Sequence, residues 1–411
     1  MKSKYLLWSL AITLTVFVSC KKGTGDIATD PGMDLNLNLA EQQRVVADNG
    51  FTFKLFKNLS ASNTGTANLL VSPLSVNFAF GMLNNGSNGQ TLSAINSTTN
   101  YNGFTQAEVN SYYSKLITDL PKLDPQTQIN IANSIWYKQT FSVIPEFLAT
   151  NSNYYQAKVQ AADFSSPATL DVINQWVSDQ TKGKIPSIID KINPYDVMFL
   201  INAIYFKSAW NQKFDVSNTH KQAFYTNGTT AVQADFMSAT VENKTYSDQD
   251  VRILELPYHN KKYSMVMVMP ITKSVKEVAA SLDSVQWQNW ISKLHAGNNQ
   301  VIIPKFKFAD KATLKQPLTT LGMGVAFTPN ADFTRINANG GLMISEVKHK
   351  TYIDVNEDGT EAAAVTSIGV STTSAPVQTL IDHPFIFAIR EMKTGLILFA
   401  GMVNNPLLTG N

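Results

Sequence analysis

The stretch from Val347 to Pro376, VKHKTYIDVNEDGTEAAAVTSIGVSTTSAP, restricts the possible folds more than any other part of the chain. Val347 to Val355 alternates. Val347, Thr351, Ile353 and Val355 fall on one face, and Lys348, Lys350 and Asp354 on the other, which is the period of a half-buried strand. Asn356 to Gly359 is a cluster of turn formers. From Thr360 every second residue (Thr360, Ala362, Ala364, Thr366, Ile368, Val370) is apolar or small and uncharged. Between them stand Glu361, Ala363, Val365, Ser367, Gly369 and Ser371, which are small, polar or charged apart from Val365. That alternation suits a strand with one face that tolerates burial. The side chains are nevertheless too small, and too rich in Ala, Ser and Thr, to hold a strand unaided. No proline interrupts before Pro376, so every backbone N–H is available to a ladder. The segment reads as a strand exposed in one state and paired in another. A second reading also fits these residues, with Thr360 capping a short helix that begins Glu-Ala-Ala-Ala.

The heptad GTEAAAV (residues 359–365), preceded by a strand ending in Asn-Glu-Asp, resembles the hinge of the serpin reactive loop. Other motifs carry the same resemblance in chain order. Residues 41–60 place Val45, Val46, Phe53, Leu55, Phe56 and Leu59 along a helical stripe despite Asn49-Gly50. Asn68 to Val76, NLLVSPLSV, gives a short apolar strand, then Ser72 as N-cap with Pro73 at the first helical position. It is similar to the family signature N-[IL]-[FLV]-x-S-P-x-S. Residues 173–185, INQWVSDQTKGKI, give a helix and a Lys-Gly-Lys turn, also typical of the family. Val197 to Lys207, VMFLINAIYFK, is apolar on both faces apart from Asn202 and belongs in the middle of a layered fold. Trp210 and Phe214 follow in the arrangement K-x-x-W-x-x-x-F. Val301 to Phe308 (VIIPKFKF) is expected to be one strand carrying Lys305. Val251–Pro257 with Tyr263–Pro270, and His383–Ile389 with Leu396–Val403, are expected to form two buried hairpins.

The N-terminus reads as a targeting segment. Lys2 and Lys4 precede an apolar run from Tyr5 to Val18, 14 residues long, too short for a bilayer that needs ~20 but suited to a secretory signal. Phe17-Val18-Ser19-Cys20 resembles a bacterial lipoprotein processing site, although Phe17 stands where Leu is usual. Cys20 is the only cysteine, so an intrachain disulfide is impossible. An ordinary cleaved signal with a coincidental cysteine is the other reading. The expected organisation is a lipoprotein-type signal over 1–20 ending at a lipidated Cys20, a flexible tether over 21–40, and a single domain over 41–407. The chain would then be exported to the bacterial cell envelope, periplasmic or at the cell surface. A net charge of +2 with 16% charged residues gives no reason to expect nucleic acid.

A search for catalysis finds no Gly-x-Ser-x-Gly elbow, since Gly86-Ser87-Asn88-Gly89 is one residue short. His220, His259, His295, His349 and His383 show no metal-binding spacing. No enzyme, cofactor or metal is expected.

The resemblance implies an α+β fold, three β-sheets with eight to nine helices and an exposed reactive-centre loop over about 359–383. It further implies a suicide-substrate inhibitor of serine proteases, or otherwise a non-inhibitory binding protein or a plain protease substrate. A protease serine would attack the loop, and the cut loop would insert into the central sheet. Gly359, Thr360, Glu361, Ala362, Ala363 and Ala364 match the hinge. Thr360, Ala362 and Ala364 are small on the inward face, and Glu361 is expected outward. Glu357, Trp210 and Lys305 match the place where the loop first meets the sheet. Ser72, Ser75, Asn202 and His349 match the polar cluster under its centre. Pro384 lies 384 − 359 = 25 residues beyond Gly359, the common inhibitory spacing, which puts the scissile bond at Thr373–Ser374. Between Glu361 and Ile381 there is no Lys, Arg, Phe, Tyr or Trp. The expected partners are therefore elastase-like or subtilisin-like proteases with small apolar primary pockets. Membrane contact is expected through the lipid anchor only, and the protein is expected to be a monomer.

Overall fold

The computed structural model describes residues 32–63, 65–226, 230–361 and 378–410. The expected signal with Cys20, and the loop positions Ala362, Ala363, Ala364, Thr373 and Ser374, lie outside the described residues. Among the described residues there are nine α-helices: α1 (Leu39–Ser62), α2 (Pro73–Asn84), α3 (Gly89–Thr98), α4 (Gln106–Asp119), α5 (Pro145–Tyr155), α6 (Pro167–Gln180), α7 (Val275–Ser281), α8 (Ser284–Ser292) and α9 (Lys315–Leu318). The strands are β1 (Leu69–Val71), β2 (Gln128–Lys138), β3 (Lys158–Ala162), β4 (Met198–Ala209), β5 (His220–Tyr225), β6 (Ala231–Ser247), β7 (Val251–Pro257) and β8 (Tyr263–Pro270), followed by β9 (His295–Pro304), β10 (Phe306–Thr313), β11 (Lys348–Asn356), β12 (Gly359–Thr360), β13 (Gln378–Leu380), β14 (Phe385–Glu391) and β15 (Ile397–Val403).

Six strands form one sheet in the order β10-β11-β12-β4-β2-β3. The others follow the path β1-β15-β14-β8-β7-β6-β9-β13, with β5 also paired to β6. The 17-residue β6 serves both ends of that path, pairing with β7 through its last residues and with β9 and β5 through the rest. It joins two smaller sheets into one ladder, and with the six-stranded sheet these make the three sheets expected of the α+β fold.

The two hairpins are as the sequence suggests. β8 and β14 are buried along their whole length, which follows from apolar residues on both faces. The main core lies between the sheets, where Phe206 of β4 meets Tyr258, Tyr263 and Phe399. Each such fully buried aromatic or aliphatic side chain contributes about 1.5–3 kcal/mol. Helix α2 runs through this layer, held at its start by Ser72, whose Oγ accepts from Ser75 N at 3.2 Å. A second cluster lies on the outer face of the six-stranded sheet, where α6 covers Trp136, Ile201 and Ala203.

Three expectations are corrected. VIIPKFKF is not one strand: Pro304 ends β9, and Phe306 begins β10 in the other sheet. Proline lacks the N–H needed to continue the β6 ladder, so the chain changes sheet at Lys305. Residues 32–40 belong to the body rather than to a tether, because Leu35 is buried and Asp34 pairs with Lys262 at 2.6 Å and Lys393 at 3.2 Å. Val46 faces solvent and does not belong to the apolar stripe of α1. Asn49 keeps that helix intact because its side chain binds Gly395 O and Ile397 N of the C-terminal hairpin.

Candidate functional site

β12 sits between β11 and β4 and is antiparallel to both. Gly359 opposes Ala209 and Asn356, and Thr360 opposes Ser208 and Val355. Beyond these two residues, no ladder joins β4 to β11 among the described residues. Two parallel strands therefore flank a slot that begins at Thr360. Thr360 lies in the sheet with its hydroxyl bonded to Tyr258, and the helix it was read as capping falls outside the described residues.

Local chemistry fixes this hinge. Gly359 has φ +148, and a Cβ there would lie 2.1 Å from Ser208 O, so only glycine fits. Thr360 Oγ1 shares a hydrogen bond with Tyr258 OH at 2.7 Å and points into the core. Trp210 stacks on Tyr258 with ring centroids 4.7 Å apart, donates from Nε1 to Asn356 O at 2.9 Å, and donates its backbone N–H to Asp358 O. Glu357 pairs with Lys305 at 2.9 Å and accepts from Thr219 Oγ1 at 2.7 Å. Burial acts to raise the Glu357 carboxyl, yet Thr219 and Lys305 together hold it below its ordinary value. Glu357, Trp210 and Lys305 are thus brought to one place, as the motif positions imply.

Glu361 departs from expectation in its surroundings. It does face outward, away from Tyr258, but it is buried, covered by Lys184, which pairs with it at 3.5 Å. Burial lifts its carboxyl above the ordinary value, against the Tyr205 hydroxyl and the Lys184 ammonium. Its φ of +58 is a left-handed conformation that costs a non-glycine residue about 1–2 kcal/mol. The chain turns out of strand geometry there.

Further along the slot a cavity of about 640 Å³ opens between Leu200 and Asn202 of β4 and Val347 and His349 beside it, with Ser75 and Val76 of α2 beneath. His349 Nε2 accepts from Ser72 N at 2.9 Å, which places its proton on Nδ1. Burial pushes His349 down to about 4. Ser72 Oγ donates to Leu398 O at 2.8 Å. Asn202 stands across the cavity and donates to Asn133 Oδ1 at 2.7 Å, while its own Oδ1 is buried with no partner. Ser72, Ser75 and His349 form one network. Asn202 shares the cavity without bonding to them.

Sequence reading missed several members. Lys213 binds Asp358 at 2.9 Å. A chain from His259 through Asp124 and Thr127 to Ser208, at 3.1, 2.7 and 2.6 Å, backs the hinge. The last three are buried, and the His259 ring is partly exposed. Apart from the local Asp124–Thr127 bond, these contacts join residues far apart in the chain, and no sequence spacing marks them. Among the described residues no group of three His, Cys, Asp or Glu side chains could hold a metal ion, and no helix is long and apolar enough to cross a membrane.

The family pattern described as Serpin (serine protease inhibitor) matches residues 46–406. The leukocyte elastase inhibitor of Bos taurus is 31% identical over 382 residues, 89% of this chain and 100% of that protein. The crystal structure of tengpin, a thermophilic serpin, in its native state superposes with a TM-score of 0.80 at 32% identity, covering 92% of this chain and 97% of the other. Human thyroxine-binding globulin, in a complex with thyroxine, gives 0.81 at 29% identity, covering 89% and 99%. With a family match over nearly the whole body and a relative above 30% identity matched along its full length, the chain belongs to the serpin family.

Proposed function

We propose that the protein is a suicide-substrate inhibitor of serine proteases with small apolar primary pockets, elastase-like or subtilisin-like. It is exported, held to the bacterial envelope by a lipid on Cys20, and acts as a monomer. The observation that carries the reading is β12, a strand of two residues placed antiparallel between two parallel strands that do not pair with each other. Extending its register brings Ala362 opposite Phe206 and Ile353, Ala364 opposite Ile204 and Thr351, and Thr366 opposite Asn202 and His349. The inward positions are small where Phe206 and Ile353 crowd the slot. Thr366 brings a hydroxyl to the one level where Asn202 Oδ1 lacks a donor.

In this mechanism a protease serine attacks the Thr373 carbonyl, the Thr373–Ser374 bond breaks, and Ser374 leaves as a free amine. The acylated strand then fills the slot before water can hydrolyse the ester. The starting state is a kinetic trap, so its barrier matters more than its equilibrium stability. The absence of a basic or aromatic residue near the bond supports the choice of target class, and the similarity to a leukocyte elastase inhibitor agrees with it.

The test is to mix the protein lacking residues 1–20 with neutrophil or pancreatic elastase. A band at the summed mass that survives boiling is expected, and it should be lost in Thr360→Arg. Clean cleavage with no such band, or faster inhibition of trypsin than of elastase, would refute the corresponding part of the proposal. The first result would move the reading to a non-inhibitory serpin.

A further inference from the structure

Residues 181–197 lead from α6 into β4 across the outer face of the six-stranded sheet, and they grip its two halves differently. Toward β2 and β4 the grip is apolar. Ile185, Ile188 and Ile189 pack in one cluster with Ile173 and Val177 of α6 and with Trp136 and Ile201 of the sheet. Asn174 of α6 fixes the same segment, accepting from Ile188 N and Ile189 N at 2.8 and 3.1 Å and donating to Ile189 O at 2.9 Å.

Toward β10 and β11 the grip is polar. Lys184 pairs with Glu361 and lies 4.9 Å over the Tyr352 ring. Ser187 Oγ accepts from Lys350 at 3.0 Å. Asp190 takes Lys311 and Lys348 at 2.9 Å each, with Lys350 at 3.8 Å. Positions 184, 187 and 190 thus meet the outward positions 352, 350 and 348 of β11 in turn. The segment then turns and joins β4, so it roofs the slot. Ile188, Ile189 and Tyr195 line the cavity beneath it.

We infer that Asp190 is a positioning residue for strand uptake: its clasp on Lys311, Lys348 and Lys350 holds this roof down and sets the rate at which a strand passes beneath. The inference rests on the slot being the receiver of a strand. The inner side of the slot is closed by α2 and the core, so a strand comes from outside and under the roof. The apolar grip travels with β4 and α6. The polar grip ties the roof to the opposite bank, and it must release for passage. Lys311 and Lys348 hold the Asp190 carboxyl well below the usual carboxylate range, so the clasp stays charged at any working pH. Asp190 is 48% exposed, but Lys348 and Lys350 are only 14% and 15% exposed. Salt therefore weakens the clasp without abolishing each pair. Partly exposed pairs of this kind give about a fivefold effect on rate together.

The test uses intact protein and a fluorescein-labelled synthetic peptide of residues 360–373, with uptake followed by anisotropy. Asp190→Asn should take up the peptide about fivefold faster at low salt. Wild type should approach that rate as salt rises, Asp190→Asn should be nearly indifferent to salt, and Asp190→Glu should behave as wild type. Rates within twofold of each other, or equal salt dependence in both proteins, would overturn the inference. If wild type takes up no peptide, the receiver reading fails, and the clasp is judged by hydrogen exchange alone. Amides 348–352 and 184–190 should then exchange faster in Asp190→Asn, and unchanged exchange would overturn it.

Discussion

Acidification should weaken the protein through His349, and the size of the effect follows from its surroundings. The ring is buried, its Nε2 is committed to Ser72 N, and its folded value is about 4 against an ordinary 6.5. Between those values the unfolded chain binds more protons than the folded one, so stability rises with pH. The contribution is complete above about pH 6.5, declines as pH falls, and is fully lost just below pH 4. At pH 5 the linkage relation gives a loss of about 2 kcal/mol relative to pH 7.5. If the ring becomes solvated in the transition state for unfolding, that is up to about thirtyfold in rate. Thermal inactivation should therefore be timed from pH 7.5 to 4.5 for wild type and for His349→Gln, whose carbonyl can still accept from Ser72 N–H but does not titrate. The ratio of the two rates should grow steadily below pH 6.5. Parallel pH profiles would refute the assignment, because the acid sensitivity would then belong to other groups.

Two further outcomes follow from the hinge. Gly359→Ala places a Cβ against Ser208 O and the Ala209 backbone, at a cost above about 1 kcal/mol. Protection of the Thr360 amide from exchange should be lost, and retained protection would show that β12 tolerates a side chain. Lys305→Met leaves the nearly buried Glu357 carboxylate with Thr219 alone, costing about 1–2 kcal/mol because Lys305 is itself partly exposed. Adding Glu357→Gln should recover most of the loss in a denaturant titration, and additive losses would mean that the pair is not coupled.

The sequence was most informative where a single side-chain period decides the structure. The alternation of Val347 to Val355 became β11 with its odd-numbered residues inward. The unbroken apolar run before Asn202 became the central β4, and Ser72-Pro73 began α2 where capping chemistry requires. Motif positions also picked out Glu357, Trp210 and Lys305, which lie together beside β12. What could not be read were contacts set by tertiary packing. Nothing in the order of residues says that Lys184 covers Glu361, or that Asp124 backs Ser208. Leu35 was assigned to a tether because its neighbours are turn formers, yet one buried leucine and one doubly paired aspartate outweigh that composition. Pro304-Lys305 was read through as a strand because the apolar pattern continues on both sides, although proline's missing N–H marks the change of sheet.

The arrangement of contacts suits the proposed role, in which one firmly built sheet accepts another strand. On its inner face Phe206, Ile353 and Val355 are apolar and buried, so separating either bank of the slot from the core would expose area at about 25 cal/mol per Å². The banks are joined by β12, by Trp210 Nε1 on Asn356 O and Lys213 on Asp358, and by the polar contacts of Lys184 and Asp190. Charged contacts at partly exposed sites cost little to exchange one for another, because water replaces each partner as it leaves. Apolar contacts have no such substitute. The banks can therefore shift relative to each other while each stays fixed to the core, and substitutions in the two groups should separate cleanly. Changes to apolar residues such as Phe206 should lower stability, whereas changes to Lys184 or Asp190 should mainly alter the rate at which the proposed slot is filled.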